Sequence, residues 1–550
     1  MKKFIFLLIL VVAFILRVYH VTKVPPSLSW DEVSIGYNAY SILTTGHDEH
    51  GKFLPYDTFV AYGDYKPPLA IYATVPLVAI FGLSDIAVRM PSVFFGTLTV
   101  LLTYFLVQEL LGFGLRVASL KTRHPSPETV QELSLLSAGL LAVSPWHINL
   151  SRGGFEANIA LFFVVLGTWL AFSARTHPRR WVIAWLPFVA AIYTFNSSRV
   201  FSVLFVPILM IYTYRDIKKN LKKFIIGVII AGLCTAPIVP HLLSPQARLR
   251  FAEVNIFTDA SIVETANQRI EREKGNLVAK LVNNRRVGYA RSFLIHFMDN
   301  LQPDFLFVKG DGNPKFSIQD VGHLYLIEAP FLTIGIFAML IANPGVAFLL
   351  LYWIIAAIIP AATARETPHA LRILDSLPTW HIFIAFGILS VYRYITKGKI
   401  VYCLLLIVLY VFSILYYLHN YYRHYPIEFS GEWQYGYKQV LQSIEPIAQK
   451  YDSIVITDSI GRPYMYTLFY TKTDPNDFFR TKDSYFDAAG FYHVDGFLNY
   501  RFGGSLPDIL TPGTLYIWNS VHKGARIIDT IHLLNGNTVL QIFDDGSITL

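Results

Sequence analysis

The chain has 550 residues, 53% of them hydrophobic and only 15% charged, with a formal net charge of +8. Soluble globular chains carry about a quarter charged residues, and the apolar residues here are clumped into runs approaching the ~20 residues of a bilayer-crossing helix, so the chain is a polytopic membrane protein. Its basic residues fall between those runs, where they report topology and not nucleic-acid binding, and the only two cysteines, Cys234 and Cys403, both lie in apolar runs, which excludes a disulfide framework or a cysteine metal site.

Lys2-Lys3 precedes an apolar run from Phe4 to Val18 with no small-residue cleavage site after it. This predicts an uncleaved first span that starts in the cytoplasm. A first external loop follows, in the widest sense residues 20–90, and within it the pattern over 33–44 places Ile35, Ala39, Ile42 and Leu43 on one helical face. That spacing predicts a short amphipathic helix lying along the membrane interface. Residues 69–83 are apolar but short, and they carry Pro76. If both 69–83 and 91–111 spanned, the basic residues Arg116, Lys121 and Arg123 and every later basic loop would lie outside. The positive-inside bias instead favours one span at 91–111, with 69–83 as a surface or re-entrant helix.

Further spans are predicted at 133–149, 157–174, 182–197, 200–214, 224–241, 325–342, 345–361, 379–394 and 401–418, about eleven in all with the first two. A long external loop covers 242–323. No internal repeat is evident, which counts against repeat-built transporters. After residue 418 the character changes. Residues 437–450 and 463–470 read as helices, and 453–457, 515–518 and 538–543 as strands. The expected organisation is a transmembrane catalytic domain over 1–424 and a soluble α/β domain over 425–550, which the odd number of spans places outside.

On this topology the polar features of the external loops share one membrane face. The first loop supplies Trp30, Asp31, Glu32, Asp64 and Lys66; the second supplies His147, Arg152 and Glu156; a later one supplies Arg365, Glu366, His369 and Arg372. Each has a plain reading: Asp31 and Glu32 as solvated loop charges, Arg152 as a snorkelling side chain, His369 as a satisfied loop histidine, Glu156 as an acid stabilising a helix N-terminus. Together they suit a reaction. A carboxylate pair is equipment for deprotonating an acceptor hydroxyl or amine. Lys66, Arg365 and Arg372 are what an anionic leaving group needs, because charge building on a phosphate is stabilised by preplaced cations. A base and a phosphate clamp at a membrane face point to a lipid-phosphate sugar donor, and no Gly-rich nucleotide fingerprint supports a nucleotide-sugar donor.

The order of one span, Trp30-Asp31-Glu32, Lys66-Pro-Pro-Leu69 and Arg89-Met-Pro91 resembles the GT-C membrane glycosyltransferases, most closely the branch (bacterial glycosyltransferase family 39 type) of protein O-mannosyltransferases and the lipid A aminoarabinose transferase. Ser144-Pro-Trp-His, Ser151-Arg152 with Glu156, Pro303-Asp-Phe-Leu-Phe307, Gly310-Asp-Gly-Asn313, Gly322-His-Leu-Tyr325, Glu328-Ala-Pro330 and Pro368-His-Ala-Leu-Arg372 extend the likeness to about residue 420. The resemblance implies a GT-C fold in the cell membrane, a polyprenyl-phosphate-sugar donor, inverting transfer, and Asp31 as general base beside Glu32. It implies that Lys66 helps hold the donor phosphate, to which Arg365, Arg372 and His369 are added. Trp30, Asp64, His147, Arg152 and Glu156 are expected to contact acceptor or donor. Glu156 stands where relatives often carry an aspartate. Some relatives use a divalent metal, and Asp31 with Glu156 is a thin donor set for an ion that wants about six oxygens.

The expected activity is transfer of a sugar to a lipid, protein or glycan acceptor at the extracytoplasmic face, with the long loop covering the site. The alternative is a polyprenyl-lipid or solute transporter, which predicts ionisable residues buried mid-span; they are scarce there.

Overall fold

The computed structural model describes residues 2–117, 126–245, 247, 253–488 and 490–549. Lys121, Arg123, the side chain of Arg116 and part of the long loop expected over 242–323 lie outside the described residues. Among the described residues seven helices are long and apolar enough to cross a membrane, or eight if the bent pair Pro127–Val143 and Pro145–Arg152 counts as one span. About eleven were expected, and the difference lies in short elements. Residues 182–197, read as a span, follow a 3-10 turn that ends at Val182 and hold only a seven-residue helix, Leu186–Ile192, before the next helix starts at Asn196. Leu69–Phe81 is a helix of 13 residues with Pro76 inside it; at 1.5 Å per residue it reaches only about 20 Å, short of the ~30 Å hydrocarbon core.

The chain divides into two compact units. One comprises Met1–Leu16, Phe95–Leu150 and Glu156–Tyr417; the other comprises Arg17–Phe94, Ser151–Phe155 and Leu418–Leu550. The first unit is helical. Its Glu328–Ala342 and Thr379–Tyr394 helices meet backbone to backbone: a Cβ added at Gly335 would stand 1.9 Å from the Phe383 carbonyl oxygen, and one at Gly387 2.0 Å from that of Phe331. Lipid supplies no hydrophobic drive between helices, so such approaches through small residues are how membrane helices gain contact.

The second unit is built on a sheet. The hairpin β1 (Phe59–Ala61) and β2 (Asp64–Lys66) stands apart. The strands β3 (Ser453–Ile456), β4 (Asp483–Phe486), β5 (Tyr492–Phe497), β6 (Tyr500–Phe502), β7 (Thr514–Trp518), β8 (Arg526–His532) and β9 (Thr538–Asp544) form a seven-stranded mixed sheet in the order β4-β5-β6-β3-β7-β9-β8. Central β3 runs parallel to both β6 and β7, and the remaining pairs are antiparallel. The helix over 463–470 forms as expected; the one expected over 437–450 ends at Ile444.

One core joins this sheet to the first loop. Leu28, Val33, Tyr37 and Val88 are buried in the same cluster as Tyr437, Ile454, Tyr464 and Phe469. The loop helix begins at Trp30 and ends at Thr45. Its Ile35, Ala39 and Ile42, expected to face the membrane interface, are buried in protein with Phe59, Ile71 and Val78, while Leu43 is exposed. Gly36 permits the fit, since a Cβ there would lie 2.4 Å from the Phe469 ring.

Candidate functional site

Ser29 and Glu32 start the Trp30–Thr45 helix with a capping box: the Glu32 N–H donates to Ser29 Oγ (3.4 Å) and the Ser29 N–H donates to Glu32 Oε2 (2.9 Å). This reciprocal bond satisfies two of the helix's orphan donors and fixes the direction of Asp31 and Glu32. Adjacent helical residues point about 100° apart, so the two carboxylates meet different surroundings.

Glu32 points inward. Its Oε1 accepts from Arg89 Nε (2.8 Å) and from the Gly154 N–H (2.9 Å), and both Arg89 and Glu32 are fully buried. Arg89 also donates to the carbonyls of Val21 (2.7 Å) and Pro25 (2.9 Å) and lies over the Trp433 ring. Asp31 points outward. Its carboxylate is 46% exposed and stands 3.0 Å from Lys66 Nζ, whose side chain is only 9% exposed. β2 ends at Lys66 and so delivers this ammonium to the start of the helix. Trp30 is partly buried against the core and its carbonyl accepts from the Tyr62 hydroxyl (2.8 Å). Asp64, at the start of β2, accepts from the Tyr65 N–H. The buried Tyr62 hydroxyl is held well above its ordinary range, first by burial and then by the carboxylates of Glu49 and Asp31.

Arg152 belongs to the same unit and is buried. It donates to Tyr421 Oη (3.1 Å) and to the carbonyls of Arg17 (3.2 Å) and Val24 (2.8 Å), and its guanidinium lies over the rings of Tyr421 and Tyr422. It ties chain segments together and does not snorkel.

In the helical unit, His147 is fully buried and Glu156 opens the Glu156–Ser173 helix. Arg365 donates to the Asn255 carbonyl (3.1 Å), and Arg372 donates to the Glu366 carbonyl (3.1 Å). Asp311 accepts from the N–H groups of Ala370 (2.6 Å) and Asn313 (2.8 Å), with His369 Nδ1 4.0 Å away. Burial pushes Asp311 up to about 6, and burial together with Arg372 pulls His369 down to about 3. His369 is therefore neutral near pH 7.

A buried cluster in the sheet unit carries no motif that sequence spacing would reveal. Glu49 is fully buried; Asn38 (3.1 Å) and the Tyr464 hydroxyl (3.4 Å) donate to its carboxylate, and Lys482 donates to its carbonyl (3.2 Å). Burial pushes Glu49 up to about 8. Among the described residues no group of three or more His, Cys, Asp or Glu side chains is gathered as a metal's donor set would be.

Residues 7–122, a range that contains Asp31, Glu32, Lys66 and Arg89, match the family model described as dolichyl-phosphate-mannose-protein mannosyltransferase. No curated protein sequence matches the chain. Among solved structures, the Archaeoglobus fulgidus oligosaccharyltransferase in complex with Zn and sulfate is similar at 13% identity and a TM-score of 0.50, over 86% of this chain and 61% of that one. This chain thus spans less than two thirds of that protein. ArnT from Cupriavidus metallidurans, bound to undecaprenyl phosphate, is similar at 12% identity and a TM-score of 0.46 over 85% of this chain and 84% of that one. The Saccharomyces cerevisiae Pmt1-Pmt2 complex bound to the sugar donor gives 17% identity and 0.29 over 46% and 33%.

Proposed function

Starting from a multi-pass membrane protein with the GT-C glycosyltransferase fold, we propose that the chain transfers a sugar from a polyprenyl-phosphate-linked donor to a hydroxyl or amine acceptor at the extracytoplasmic face, with inversion. One observation carries this reading: a half-exposed carboxylate, Asp31, at the start of a capped helix and 3.0 Å from a nearly buried lysine, within the range matched by the mannosyltransferase family model.

The acceptor heteroatom attacks the anomeric carbon as Asp31 takes its proton, which is the work of a general base placed within hydrogen-bond reach. The bond from that carbon to the phosphate oxygen breaks, and its electron pair leaves with the lipid phosphate. Lys66 supplies a preplaced cation for that charge. Glu32 and Arg152 act as positioning residues, since their polar atoms are committed to Arg89, Gly154, Ser29 and to Tyr421, Arg17 and Val24. Trp30 and Asp64 contact acceptor or sugar. For the helical unit taken by itself, Arg365, Arg372 and neutral His369 are proposed to bind phosphate, and His147 and Glu156 to contact a donor.

The test uses the full chain in proteoliposomes with a polyprenyl-phosphate sugar and an extract of acceptors. Sugar transfer is expected, and Asp31→Asn is expected to lower it by about 10²–10⁴-fold, the usual worth of a positioned base. Normal turnover by the folded Asp31→Asn protein would remove Asp31 as the base.

A further inference from the structure

Among the described residues between the apolar helices Leu221–Leu242 and Glu328–Ala342 are the short α-helices Ala260–Arg272, Leu277–Val282 and Arg285–Asp299. None is long enough to cross a bilayer. The first has the outer face of a helix in water, with Glu264, Asn267, Gln268 and Arg269 exposed. The next two are inverted. On Arg285–Asp299 the exposed positions Val287, Arg291, Leu294 and Met298 recur at spacings of four, three and four, one helical face. That face is mostly apolar, with Leu294 60% and Met298 59% exposed. On Leu277–Val282, Leu277 is 74% and Leu281 63% exposed, while Ala279 is buried.

The charge pattern changes at the same point. From Lys274 to Met298 the sequence has five Lys or Arg residues (Lys274, Lys280, Arg285, Arg286, Arg291), all exposed, and no Asp or Glu. A surface helix in water turns its polar face outward. An apolar outer face interleaved with cations and free of acids is the pattern of a segment lying in the headgroup region of an anionic leaflet. We infer that residues 274–298 form a membrane-surface anchor, with Leu277, Leu281, Leu294 and Met298 entering the acyl boundary and Lys280, Arg285, Arg286 and Arg291 taking phospholipid phosphates. The occupant is bulk anionic phospholipid of the bilayer that the spans cross.

Labels report this without disturbing the packed faces. With Cys234 and Cys403 replaced by alanine, an environment-sensitive fluorophore is placed by Leu281→Cys, by Leu294→Cys or, as a control, by Asn267→Cys in the full chain. The proteins are reconstituted in phosphatidylglycerol-containing or pure phosphatidylcholine vesicles that carry brominated lipid. The labels at 281 and 294 are expected to be blue-shifted and quenched, the one at 267 not. Replacing Lys280, Arg285, Arg286 and Arg291 with Gln is expected to lower the quenched-to-unquenched ratio in the anionic vesicles by about fivefold per cation removed. A water-like, unquenched label at 281 and 294 overturns the proposal. So does equal quenching in both vesicle types, which would mean insertion without anionic recognition. A label shielded from water yet unquenched would assign the face to a protein contact, and quenching that appears only on adding a polyprenyl phosphate would assign it to the donor; either result overturns the leaflet as occupant.

Discussion

Two ion pairs one residue apart, at the start of the Trp30–Thr45 helix, stand in contrasting surroundings. Glu32 and Arg89 are both buried, and their remaining polar atoms are bonded to backbone around them. Asp31 and Lys66 form a pair with one end in water. A buried pair gains its Coulomb energy only against a desolvation penalty of similar size, so its net worth is small, but breaking it leaves an uncompensated charge. A half-exposed pair can exchange its partner for a ligand. On the proposed reading the inner pair sets the geometry and the outer pair carries the chemistry.

Substitutions separate the two roles. The largest effect is expected from Asp31→Asn, which should abolish nearly all transfer yet change unfolding free energy by about 1 kcal/mol or less, the range of exposed pairs; a large drop in the thermal midpoint would merge the two pairs into one structural unit. Glu32→Gln should do the reverse first, destabilising the protein by about 3–5 kcal/mol because Arg89 stays buried without its counter-charge. Full stability of that variant by chemical denaturation would end the claim that this pair holds the loop. Lys66→Met should lower kcat by about 10²–10³, as for loss of one group that stabilises developing charge, and a change confined to acceptor KM would move Lys66 away from the phosphate.

Much of this division was legible in the sequence, and its limits are physical. Trp30-Asp31-Glu32 and Lys66 drew attention as a group, and Ser29 followed three residues later by Glu32 is itself a capping-box signature. That signature, taken with the 100° step between neighbours, would have separated the two carboxylates. What periodicity does not carry is the partner: Arg89 is 57 residues from Glu32, and Tyr37, which donates to the Thr473 carbonyl, is 436 residues from it. The same limit hid the shared core of the first loop and the C-terminal sheet. The buried strands β3, β7 and β9 were readable as apolar runs, whereas β4 and β8 lie at the sheet edges, largely or partly exposed, and carry too weak an apolar pattern. Arg152 read equally well as a snorkelling or a ligand residue, and its bonds to Tyr421, Arg17 and Val24, with two aromatic faces beside it, identify it as a tie.

The shared core gives a smaller prediction. Gly36→Ala adds a Cβ that would meet Phe469 at 2.4 Å and Val88 at 2.7 Å. Overpacking of this kind destabilises by about 1–3 kcal/mol. Limited proteolysis should then cleave the first loop and the C-terminal region faster than wild type; unchanged protection would show that the contact relaxes at no cost.

The last prediction concerns pH, and it turns on a buried inner carboxyl. Glu49 rises from an ordinary 4.5 to about 8 because burial disfavours its charge, with the bond from Asn38 working against that. The folded protein thus keeps this proton at pH 7 while an unfolded chain releases it. Since the folded state binds more protons between pH 4.5 and about 8, stability from this group is full below that window and falls as pH rises through it. Glu49→Gln keeps the neutral shape and cannot ionise, so its thermal midpoint should stay flat from pH 6 to about 8 while that of wild type declines. Parallel slopes for wild type and Glu49→Gln would mean that the carboxyl ionises without penalty and that water reaches it.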